Sequence, residues 1–162
     1  MLKPVLLLVA GLLALPAITA CHKNDAPPLS DDTLIFGSFY GECAGEGCIE
    51  IYRLDPAQQT LAEDTVDKYP SFTEPYRGSY APRSQASYQR ALPLRQQVPA
   101  QLLNTTANVI GQPDAGDWGG YYVETSHNGI RRFWLIDTKK SNLPAYLHAF
   151  TDSLRVHIQA LK

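Results

Sequence analysis

Two cysteines, Cys43 and Cys48, carry the most reactive side chains in the interior of this chain, separated by Ala44-Gly45-Glu46-Gly47. Two glycines in that linker leave it free enough for the sulfurs to meet. In an oxidising compartment the expected product is a disulfide, while in the reduced form the pair would offer thiolates for redox exchange or for a metal. Zinc needs further ligands and the thioredoxin-type motif has two intervening residues, so the spacing suits neither well. Closing so short a loop stabilises by about 2 kcal/mol and shapes the loop more than the fold. Glu42, Glu46 and Glu50 flank the pair without the aspartate-rich pattern of a calcium loop, as solvated acids do. A second cluster, Gln112-Pro113-Asp114-Ala115-Gly116-Asp117-Trp118-Gly119-Gly120, joins two carboxylates, an indole and three glycines ahead of an apolar run. It reads either as a ligand loop with Asp114, Asp117 and Trp118 as binding residues, or as a tight connection. In the second case the carboxylates accept local backbone hydrogen bonds and the indole caps the core.

Histidine, the usual proton carrier of catalysis, occurs in the body of the chain only as His127, His148 and His157. His148 and His157 fall on one helical stretch at a spacing that puts them on opposite faces, and His127 neighbours a turn. There is no Gly-x-Ser-x-Gly elbow, no His-Glu-x-x-His and no glycine-rich phosphate or dinucleotide loop. The expectation is a domain with no catalytic residues, no metal and no cofactor.

The third cysteine belongs to a different chemistry. Lys3 supplies a positive start, Val5 to Leu15 are apolar, Pro16 breaks the run and Ile18-Thr19-Ala20-Cys21 follows. That ending resembles the lipobox of bacterial lipoproteins. The resemblance implies that residues 1–20 are a signal peptide, that cleavage leaves Cys21 first, and that its thiol carries diacylglycerol. One acyl chain holds a protein at a membrane only marginally and two hold it stably. The lipid bilayer is therefore an expected partner through Cys21. Residue 22 is histidine rather than the aspartate that retains enteric lipoproteins in the inner membrane, which favours the outer membrane and its periplasmic face. Cys21-His22-Lys23-Asn24-Asp25 partly resembles a surface-export signal, with Asn24 standing where an acid is expected.

What must position the candidate residues is a domain over residues 33–162, preceded by a polar, proline-bearing tether over residues 21–32. The formal charge is −2, and one unit more negative once Lys3 leaves, so nothing in the charge balance attracts nucleic acid. Nine tyrosines, twelve prolines and eleven glycines favour strands and loops. The fold class expected is α+β: a small antiparallel sheet of hairpins packed by a C-terminal amphipathic helix, with a long proline- and tyrosine-rich loop.

Residues 33–39 and 48–54 form a hairpin around the cysteine loop, Asp55-Pro56 turns the chain, and residues 60–64 add a third strand. Residues 69–83 hold three prolines, a glycine and three tyrosines, a composition for a long loop or arm. Its tyrosines either pack back onto the sheet or form a contact surface. Short helices follow at residues 84–92, ending near Pro93, and from Pro99 through Leu103. Asn128-Gly129 between two apolar runs predicts a type I′ hairpin. After it, Asn142 is expected to cap a helix whose apolar stripe is Leu143, Leu147, Phe150, Leu154, Ile158 and Leu161.

A looser resemblance covers most of this domain. Phe36-Gly37, Tyr40-Gly41-Glu42-Cys43 with Cys48, Gly111-Gln112-Pro113-Asp114 with Asp117 and Gly119-Gly120, and Trp134 with Ile136-Asp137 resemble the recurring pattern of a group of uncharacterised small bacterial lipoproteins. Where that pattern often has a cysteine after the aspartate, this chain has Ala115. The resemblance implies a lipoprotein domain and no particular activity. The expected function is a non-catalytic binding or assembly domain with a possible envelope protein partner. The alternative is a thiol-redox or metal-dependent envelope protein using Cys43 and Cys48, and a hydrolase with a dispersed site is a third class.

Overall fold

The computed structural model describes residues 29–162. The expected signal peptide, Cys21 and the first part of the tether lie outside the described residues. Seven strands form one sheet: β1 (Leu34–Phe39), β2 (Ile49–Asp55), β3 (Thr60–Asp64), β4 (Tyr80–Pro82), β5 (Val109–Ile110), β6 (Gly120–His127) and β7 (Ile130–Asp137). Their spatial order is β4-β3-β2-β1-β6-β7-β5. Every pairing is antiparallel except β5 with β7. Three helices, α1 (Gln85–Gln96), α2 (Ala100–Asn104) and α3 (His148–Leu161), complete an α+β fold.

Strand alternation sends successive side chains to opposite faces. Leu34, Phe36, Tyr52, Leu54, Val123, Trp134 and Ile136 meet the helices, joined by Leu94, Leu102, Phe150, Leu154 and Ile158 in one core. The opposite face holds Ile35, Phe39, Ile49, Ile51, Tyr122, Phe133 and Leu135, with Tyr76 packed among them. Because that face too is apolar, the tyrosine-rich segment must cover it.

All six residues of the expected C-terminal stripe are buried, but the helix starts later than Asn142. Two short 3-10 turns, Lys140–Asn142 and Ala145–Leu147, come first. Asn142 does not cap because its amide donates to Asp137 Oδ2 at 2.7 Å. The expected stop at Pro93 is also corrected. α1 runs through it to Gln96, capped at its start by Ser84 Oγ accepting the Ser87 N–H. Pro93 and Gln89 both face solvent, so water can take the carbonyl that proline leaves unpaired, while Leu94 beyond it is fully buried. Likewise the long loop ends in β4, which pairs with β3 and extends the sheet by an edge strand.

Candidate functional site

The two loops singled out by their residue types meet at the end of β1. Residues 112–119 form a tight turn in which Asp114 N–H donates to Gly119 O at 2.9 Å. Asp114 holds a left-handed backbone (φ 59°), a conformation aspartate tolerates better than most residues. Its carboxylate then reaches across to the cysteine loop. Oδ2 accepts the Gly41 N–H at 2.7 Å and the Tyr69 O–H at 3.0 Å, and Oδ1 accepts the Gly119 N–H at 3.0 Å. One side chain thus joins three segments that are distant in sequence. Close approach explains both glycines: a Cβ on Gly41 would lie 2.5 Å from Asp114 Oδ2, and one on Gly119, where φ is +74°, would lie 2.4 Å from the Tyr40 ring.

Cys43 and Cys48 are bonded as a disulfide with Cα atoms 5.6 Å apart, and Tyr40 N–H donates to Cys48 O at 3.0 Å to close the loop's base. Above it the Tyr69 ring stands edge-on to Phe39, centroids 5.1 Å apart, and Phe72 stacks beyond at 6.5 Å. Tyr69 is 37 % and Phe72 46 % exposed, so this aromatic ledge faces outward. Between ledge and disulfide lies a cleft of about 300 Å³ lined by Tyr40, Gly41, Cys43, Cys48, Asp67 and Tyr69. Burial, then the hydrogen bond and charge of Asp114, push the Tyr69 phenol up to about 12. Asp67 is also raised, first by burial and then by the like charges of Asp64, Glu46, Glu50 and Glu63.

The other expected residues separate from this joint. Asp117 is exposed with φ 62°, and no hydrogen bond of its side chain is present among the described residues. Trp118 donates its indole N–H to Asp137 Oδ1 at 3.1 Å, and Lys139 Nζ sits 3.1 Å from its ring centroid. Asp137 is fully buried and also accepts the Gln112 and Lys139 N–H groups. Burial alone would raise its pKa, yet these donors and Asn142 hold it below the ordinary carboxylate value. Glu42 and Glu46 are exposed, and Glu50 accepts the Tyr52 O–H at 2.9 Å. Among the described residues no group of three or more His, Cys, Asp or Glu could hold a metal ion. His148 Nε2 contacts the carbonyls of Lys140 and Leu143, and His157 Nδ1 that of Ser153.

Sequence reasoning missed a buried polar network on the face under the tyrosine-rich segment. Glu124, with no exposed surface, bonds Arg131 and the Tyr122 O–H. Tyr76 N–H donates to Tyr122 Oη at 2.8 Å, Arg131 Nη2 to Tyr76 O at 2.8 Å, and Tyr76 O–H to Asp64 Oδ2 at 2.8 Å. The signal was available in the Asn128-Gly129 turn. Its register pairs His127 with Ile130 and Ser126 with Arg131, setting Glu124 and Arg131 on one face in diagonal contact.

No family model matches the chain, and comparison with curated proteins and with solved structures returned no match.

Proposed function

We propose that this chain is an envelope lipoprotein: residues 1–20 direct export, acylated Cys21 anchors it to the outer membrane, and the domain serves binding or assembly rather than catalysis. The observation that carries the non-catalytic reading is the state of Asp114, the best-placed carboxylate in the candidate loops. Three donors occupy it, two of them backbone N–H groups, as a structural joint requires. A general base would need a lone pair directed at substrate. The Cys43–Cys48 disulfide accords with an oxidising compartment. No helix among the described residues is long and apolar enough to cross a membrane, and the lipid anchor is read from the apolar run that ends at Cys21.

Asp32 adjoins the β6–β7 turn through its N–H to Ser126 O, at the start of β1, whereas the aromatic ledge lies past the end of β1. Six residues of strand separate the two ends by roughly 20 Å, which sets Tyr69, Phe72 and the cysteine loop apart from Asp32 and supports their reading as a surface for an envelope protein partner. Metabolic labelling with radioactive palmitate tests the anchor: label enters the wild type and is absent from Cys21→Ser, which then leaves the membrane fraction. An unlabelled wild type would overturn it. A substrate turned over by the purified protein, with turnover lost on Asp114→Ala, would overturn the non-catalytic reading.

One observation favours the second reading, thiol-redox or metal-dependent chemistry. Cys43 is exposed and lines the cleft beside the ledge, where a reductant could reach it. Mass spectrometry of the unreduced protein incubated with glutathione separates the two. A persistent disulfide without bound metal removes the second reading, and ready reduction sustains it.

A further inference from the structure

A cavity of about 440 Å³ lies at the opposite end of the sheet from the cysteine loop. It opens between the β6–β7 turn and the α1–α2 corner, with Leu103, Ile130 and Thr125 among its walls and Arg95, Arg132 and His127 beside them. Ile130 is 66 % exposed and lines the cavity together with Leu103, so its aliphatic surface is open to a ligand there. Both arginines are held in place. Arg95 donates to Asp32 O at 2.9 Å and to Asp32 Oδ1 at 2.7 Å, and Arg132 donates to the carbonyls of Leu103 and Thr105 while lying over the Trp134 ring. Each guanidinium uses two of these bonds and carries five N–H donors, so each retains donors for an anion. Asp32 is the one acid in the lining and Arg95 neutralises it, which leaves the cavity with a cationic excess.

We infer that this cavity binds an alkyl carboxylate, its hydrocarbon chain against Leu103 and Ile130 and its carboxylate paired with the guanidinium donors that Arg132 and Arg95 leave free. An apolar wall joined to fixed cationic donors complements an amphiphile better than either of its halves. Free phosphate would leave the aliphatic wall in water, and a neutral alkane or alcohol would leave the guanidinium charge unpaired. A volume of this size admits a small molecule rather than a folded partner. The inference is independent of the anchor at Cys21, because it uses only residues 32–132 of the described fold.

Titration of the isotopically labelled full-length chain with octanoate tests it by amide chemical shifts. Saturable shifts confined to residues 95, 103 and 125–132 are expected, with at least tenfold weaker binding of octanol, acetate and inorganic phosphate. Ile130→Asp, an exposed position whose substitution leaves the core intact, weakens octanoate binding at least tenfold, and Arg95→Gln does the same. Octanol binding as tightly as octanoate, phosphate competing equally, shifts mapping elsewhere or failing to saturate, or a folded Ile130→Asp variant with unchanged affinity would each overturn it.

Discussion

Asp114 shows how one residue type at one backbone conformation decides the shape of a whole region. A short acceptor in left-handed backbone points its carboxylate at donors from three loops, and it is the charge on that group that makes the bonds strong. Asp114→Asn keeps the tolerance for positive φ but loses the charge, and one of its oxygens becomes a nitrogen facing donors. Denaturant unfolding is expected to show a loss of about 1–2 kcal/mol, and Asp114→Ala a larger one. The same substitution lowers the Tyr69 phenol, measured by ultraviolet titration, because the hydrogen bond and the charge of Asp114 both help to raise it. The wild type carries the matching pH signature. Tyr69 keeps its proton in the fold up to about 12, whereas an unfolded tyrosine releases it near 10.0. The stability it contributes is complete below pH 10 and lost as pH rises through 12. Tyr52, Tyr76 and Tyr122, raised chiefly by burial, add to the same fall. A stability curve flat across that range would contradict these assignments.

Among the elements, the tyrosine-rich segment depends most on partners it does not itself contain. Its grip on the sheet is the Glu124–Arg131 pair with Tyr76 and Tyr122. Arg131→Ala leaves the fully buried Glu124 carboxylate uncompensated, with an expected cost of about 3–5 kcal/mol. Limited proteolysis should then cut within residues 65–79 before any other part of the domain, and cutting elsewhere first would refute that role. Hairpins and the C-terminal stripe were legible because they rest on local signals: alternation, an Asn-Gly turn and apolar spacing. The extension of α1 past Pro93 was not, because it depends on burial of Leu94 by elements far along the chain. Nor was β5, two residues whose parallel pairing with β7 leaves no periodic trace. At the candidate site, Asp114 and the cysteine pair could be named from residue type. Their meeting through Gly41 and Tyr69 could not, since it requires the sheet order.

On the scale of the molecule, the disulfide and the proposed lipid anchor would play separate parts. Cys43→Ala with Cys48→Ala opens a loop that is already closed at its base by Tyr40 N–H to Cys48 O. The double variant is expected to lose about 2 kcal/mol and stay folded, with far-UV circular dichroism unchanged. Global unfolding would mean that the bond holds more than its loop. Placement in the cell would rest instead on the proposed acylation of Cys21, which would join a domain with two dissimilar ends to a membrane. The most direct measurement is mass spectrometry of the amino-terminal peptide from protein extracted out of membranes. The account predicts a peptide that begins at Cys21 and carries the mass of a diacylglyceryl group. A membrane-derived peptide in which Ala20 is still joined to Cys21, or in which Cys21 is unmodified, would contradict it.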